Sequence, residues 1–184
     1  MLSIIKNLCL FGCVLLAGCT TTPTKYAPNN PVNNERIQSA LITYQTAASL
    51  PITYSVDRTY SPAIKDELGR QAQSDTQTML LLIDKQVPLQ LSNALTKRGV
   101  KNGADATISL RPISANAGWK GVVRLHLEVT VRTSDRTKPQ WVVEIGAIGR
   151  DIGTGIDPSG EKMAALFTTQ IISELAKAGF IAAE

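Results

Sequence analysis

The chain has 184 residues, of which 43% are hydrophobic, 18% charged and 5% aromatic, with a formal net charge of +4. That length fits one domain, the apolar share is enough for a core, and the charge is too low for a chain that stays unfolded. So mild a positive excess with so few rings argues against a dedicated nucleic-acid binder, which neutralises many phosphates or stacks many bases.

The chain opens Met1-Leu-Ser-Ile-Ile-Lys6, followed by an apolar run from Leu8 to Ala17. Lys6 supplies a positive n-region, and the run has the length of a signal h-region. It is too short for a bilayer span, which needs about 20 apolar residues. The run ends Leu16-Ala17-Gly18-Cys19. These residues resemble the lipobox of bacterial prolipoproteins: Leu, two small residues that fit a peptidase cleft, then the Cys that takes the lipid. The resemblance covers only this segment. It implies a signal peptide over 1–18, cleavage between Gly18 and Cys19, and diacylglycerol on the Cys19 sulfur with a fatty acyl chain such as palmitate on its new amine. Two or three acyl chains give stable anchoring. Cys9 and Cys13 fall in the removed segment, so the mature chain keeps no thiol for a disulfide. In enterobacterial lipoproteins, Asp after the lipidated Cys favours inner-membrane retention. Thr20 stands there instead, and by that analogy the expected address is the outer membrane, facing the periplasm.

Residues 19–35, rich in Thr, Pro and Asn, read as a flexible tether, with Pro23, Pro28 and Pro31 arguing against a strand. Residues 36–184 read as one α+β periplasmic domain. Ile37, Leu41 and Tyr44 fall at helical spacing and predict a short helix over 36–48. Ile52, Tyr54 and Val56 alternate with polar residues and predict a strand. Ser61-Pro62 is a good helix start. Met79, Leu80, Leu82, Ile83 and Val87 continue that helix at three- and four-residue spacing. A buried strand over 77–84 is the alternative, and Pro88 would kink or restart the helix. Gly99 and Gly179, each after a Lys-containing turn and before an apolar residue, read as helix stops.

Ala106, Ile108 and Leu110 predict a strand, and Ser114–Gly121 a loop carrying an exposed Trp119. Residues 122–133 alternate cleanly. Val123, Leu125, Leu127, Val129 and Val131 take one face; Arg124, His126, Glu128, Thr130 and Arg132 take the other. One face is therefore buried and the other wet. Residues 134–139 form the turn, and Trp141, Val143, Ile145 and Ala147 return along the core face. A last helix opens near Asp157-Pro158 and runs to about Ala178. The expected fold is α+β: an antiparallel sheet with helices packed on one face, in a single domain. This order resembles, in architecture alone, small periplasmic domains of envelope-assembly lipoproteins.

The chemistry-bearing residues are sparse. Gly155-Ile-Asp-Pro-Ser-Gly160-Glu161-Lys162 is a near miss of a P-loop. Its Lys does not follow the Gly, no Ser or Thr follows Lys162, and Asp157 and Glu161 stand where phosphate needs donors. No nucleotide is therefore expected. One histidine and no free thiolate make a metal site improbable, and no cofactor or metal is expected. There is no G-x-S-x-G or S-x-x-K nucleophile motif. The expected function is a non-enzymatic lipoprotein that binds an envelope protein or peptidoglycan as an assembly, transport or structural accessory. Trp119, Arg124, Arg132, Asp151 and Asp157 are its candidate contact residues. The alternative is an anchored cell-wall hydrolase using paired carboxylates.

Overall fold

A computed structural model describes residues 20–24, 36–55, 59–118, 122–150 and 158–183. The elements run β1 (Thr20–Thr24), β2 (Ser39–Tyr44), a 3-10 turn (Ala47–Ser49), β3 (Ile52–Ser55), α1 (Pro62–Lys97), β4 (Lys101–Asn102), β5 (Ala106–Gly118), β6 (Val122–Thr133), β7 (Trp141–Arg150) and α2 (Pro158–Lys177). The seven strands form one sheet in the order β1-β7-β6-β5-β2-β4, with β3 also on β5.

The α+β class and the single domain stand, but the sheet is mixed. β5, β6 and β7 are antiparallel, as successive hairpin-linked strands must be. β2 and β3 pair parallel with β5. Both precede α1, and a strand that rejoins its sheet after a crossover helix re-enters parallel.

Residues 36–48 are not helical. Ser39–Tyr44 is strand β2, and Ala47–Ser49 closes as a 3-10 turn. Ile37 and Tyr44 do reach the core, but Leu41 stays 47% exposed. The inward residues are Ala40, Ile42 and Tyr44, a period-two set that pairing with β5 selects over the helical one. The tether expected over 19–35 is described only at Thr20–Thr24, and there it is an edge strand antiparallel to β7 despite Pro23. An edge strand can turn the side lacking an N–H to solvent.

Residues 114–118, expected in a loop, extend β5. The register slips between Pro112 and Ser114, leaving Ile113 as an extra residue. Buried positions therefore shift from Ala106, Ile108 and Leu110 to Ala115 and Ala117. Pro112 needs no partner on the far side of β5, because β2 covers only Ala106–Leu110 and β3 begins at Ala115.

Helix α1 passes through Pro88 as one element, and residues 77–84 are helix. Leu80, Ile83, Val87, Leu91 and Leu95 form its buried stripe. Ser61 takes the N-cap position in extended backbone, but its side chain makes no capping bond. Both helices stop as the sequence indicates. Gly99 (φ 82°) and Gly179 (φ 81°) are left-handed. Gly99 N–H donates to Thr96 and Val100 N–H to Leu95, and the pattern repeats from Gly179 to Ala176 and Phe180 to Leu175. This is the Schellman arrangement, with Val100 and Phe180 buried as its apolar closers.

Both helices lie on the face of the sheet that carries Ile108, Leu110, Leu125, Leu127, Val129 and Ile145. Phe167, Ile171 and Leu175 of α2 complete the same core, and Trp141 meets Phe180 edge-on at 5.9 Å between ring centroids. The other face of the sheet carries no helix among the described residues.

Candidate functional site

The uncovered face follows from the alternation of β6. With Val123, Leu125, Leu127, Val129 and Val131 buried, Arg124, His126, Glu128, Thr130 and Arg132 point the other way. Cross-strand neighbours extend the face. Arg111 on β5, Glu128 on β6 and Glu144 on β7 are successive partners across three strands. Two like charges directly opposite are unfavourable in a sheet, and each is answered locally. The Arg111 Nε and Nη2 both donate to Glu128 Oε1 at 2.9 Å. His126 lies opposite Gly146, which has no side chain to block the ring, and its Nδ1 reaches Glu144 Oε1 at 2.8 Å. A carboxylate only accepts, so Nδ1 carries the proton.

Around this paired centre the face is small and polar: Thr43 donates to Ser109 at 2.8 Å, and Ser39 to Asp105 at 2.7 Å. Arg124 and Arg132 sit at its two ends. Eight residues apart on one strand, they are separated by about 26 Å. Both are exposed, and neither has an ion-pair partner among the described residues. They therefore mark two ends of a surface rather than one pocket.

Ser114 is the β5 neighbour of His126, which orders Ser, His and Glu across three strands. No hydrogen bond joins Ser114 to His126 among the described residues, so the histidine is oriented toward its carboxylate alone. No group of three or more His, Cys, Asp or Glu side chains that could hold a metal occurs among the described residues. Gly18, Cys19, Trp119, Asp151 and Asp157, and most of the near-P-loop segment, lie outside the described residues. Of the candidate contact residues, only Arg124 and Arg132 are placed.

A second polar centre was not singled out from the sequence. Asp84, midway along α1, accepts from Tyr44 Oη at 2.9 Å, from the Thr46 hydroxyl, from Ala47 N–H at 2.6 Å and from Ala48 N–H at 3.1 Å. Gln77 Nε2, two turns earlier, donates to the Ala48 carbonyl at 2.7 Å. One carboxylate thus holds the 3-10 turn against α1. Burial, then the Asp84 charge and hydrogen bond, push the Tyr44 phenol far above its ordinary value of 10.0. The only sequence signal was one Asp within an apolar helical stretch. At the β6–β7 turn, the Thr133 hydroxyl donates to Asp135 and holds its carboxyl below the usual range.

No protein-family model matches the chain, and no curated protein matches it. Among solved structures it is similar to the PelC dodecamer from Paraburkholderia phytofirmans, in two crystal forms, one of a point variant. The identity is 12% in both, with TM-scores of 0.38 and 0.39, covering 87% of this chain and 96% of the other.

Proposed function

We propose that the protein is an outer-membrane lipoprotein, anchored through Cys19, that acts by binding another envelope component as an assembly, transport or structural accessory. The observation that carries this reading is the sheet face that bears no helix among the described residues, with Arg124 and Arg132 exposed at its ends and without an ion-pair partner among those residues. An isolated surface arginine costs little to keep in water. Two at the ends of a flat, hydrogen-bonding face suit an extended anionic or polar partner, to which guanidinium groups bind with two parallel donors. The partner class is an envelope protein or peptidoglycan. The anchor is tested by Cys19→Ser, which should abolish incorporation of labelled palmitate and leave an uncleaved precursor. Labelling that persists in that variant overturns it.

The hydrolase reading keeps one specific support: Glu128 and Glu144 are direct cross-strand partners. Side chains so placed are about 5 Å apart at Cβ, which puts two carboxylates on one face within reach of a common substrate, as carboxylate-based hydrolysis requires. Their commitments favour binding instead. Glu128 is held by the Arg111 fork and Glu144 by His126, which leaves neither aimed at a substrate. Glu128→Gln with Glu144→Gln should leave cell-wall fragments unchanged on overexpression; loss of a wild-type change in those fragments would favour the hydrolase.

A further inference from the structure

We propose that the outer edge of β2 and the adjoining flank of α1 form a groove that takes an extended, acidic peptide segment of another protein as an added strand. The backbone directions of β2 follow from its hydrogen bonds. Gln45 N–H donates to Leu110 C=O at 3.0 Å, so Leu41, Thr43 and Gln45 turn their main-chain groups toward β5. Gln38 C=O accepts from Lys101 at 2.9 Å and Ala40 C=O from Gly103 at 3.3 Å, so even-numbered residues turn outward. The two-residue β4 covers only Ser39 and Ala40. The outward N–H and C=O of Ile42 and Tyr44 have no strand beside them among the described residues. Unpaired main-chain groups on a sheet edge are a template for one more strand.

Beside that edge runs a groove of about 480 Å3, between Leu41 and Ile42 on one side and Lys85, Pro88 and Leu89 on the other. Pro88, which lines the groove, has no N–H, so the usual helical bond to the Asp84 carbonyl one turn back is missing there. Leu41 is 47% exposed and Leu89 53%, although each is a large apolar side chain. They lie on opposite sides of the edge, as a strand with alternating side chains requires of its two contacts. The charge of the groove selects the occupant. Asp84 already accepts four donors. Lys85 and Lys101, both lining the groove and both exposed, have no ion-pair partner among the described residues. The complementary segment carries β-branched aliphatic residues for Leu41 and Leu89, with Asp or Glu at the positions facing the lysines. Arg132 lies two strands from Leu41, across Thr107, whereas Arg124 stands at the far end of the sheet beside Asn116. The groove does not depend on the lipid or on Arg124, so it can fail while the preceding reading stands.

The test pans a displayed library of random decapeptides against the full chain, then measures the best binder by fluorescence anisotropy as a synthetic peptide. The expected winners carry acidic residues around an alternating Val/Ile core. Their affinity should fall at least tenfold in Lys85→Glu/Lys101→Glu, which changes only exposed side chains, while Arg124→Glu, at the far end of the sheet, leaves it unchanged. Panning the lysine-reversed variant should select basic peptides. Winners without acidic bias, or affinity unchanged by the lysine reversal with an unaltered thermal melt, overturn the proposal. So does concentration-dependent dimerisation that Leu41→Asp abolishes, which would assign the edge to a second copy.

Discussion

Asp84 shows how much one side chain can hold when it meets the backbone and hydroxyl donors of a short turn. The Ala47 and Ala48 N–H groups lie in a turn with no strand to pair them, and the carboxylate receives both along with two hydroxyls. Removing an acceptor leaves its donors' desolvation uncompensated. Asp84→Ala should therefore destabilise the domain by about 2 kcal/mol in a thermal or urea melt, and Asp84→Asn, which keeps one oxygen, by less. Tyr44 adds a pH signature. Its folded phenol holds its proton well above 10.0, whereas an unfolded tyrosine gives it up near pH 10. Above that pH the unfolded state binds fewer protons, so stability falls as pH rises. Tyr44→Phe should lower stability at neutral pH, through the lost bond to Asp84, and should also flatten the alkaline decline. An unchanged slope above pH 10 would show that Tyr44 is not the group responsible. None of this was legible in the sequence, because Asp84 in an amphipathic helix looks like any solvent-facing acid. Its role depends on a turn 37 residues earlier.

At the scale of elements, what could be read depended on whether a segment's pattern was set by its own residues or by its neighbours. β6 was legible in full because its alternation is its own: Leu127 is completely buried and Glu128 is not. Leu127→Asp should abolish cooperative unfolding, since it places an unpaired charge in the core. Glu128→Gln should change stability by less than about 1 kcal/mol. Equal effects of the two in thermal melts would contradict the face assignment. The helix stops were legible for the same reason. A Cβ on Gly179 would meet nothing within 4 Å, so only its φ of 81° opposes a side chain there. Gly179→Ala should cost about 1 kcal/mol, from backbone strain alone. β2 and the end of β5 were not legible. Ile37, Leu41 and Tyr44 fit a helix as well as a strand, and the deciding partner, β5, lies across the 36-residue α1. The bulge at Pro112/Ser114 reversed the phase of β5, so two half-strands of opposite alternation read as a strand followed by a loop.

For the whole molecule, the sheet carries a helix-backed core on one face and a polar face that bears no helix among the described residues on the other. The α+β class, the single domain and the placement of both helices were readable from the order of periods. The parallel pairing of β2 and β3 was not, because it comes from connectivity through α1. Of the candidate contact residues, Arg124 and Arg132 could be assigned to the wet face from the sequence because the alternation of β6 is its own. We propose that this face meets an envelope partner. The most direct measurement replaces Arg124 or Arg132, and as a comparison exposed Lys162 on the far side of the core, with a photo-crosslinking amino acid in living cells. Irradiation should give the same discrete adduct, to an envelope protein or to peptidoglycan, from positions 124 and 132 and none from 162. No adduct at either arginine position, or equal adducts at all three, would contradict the account.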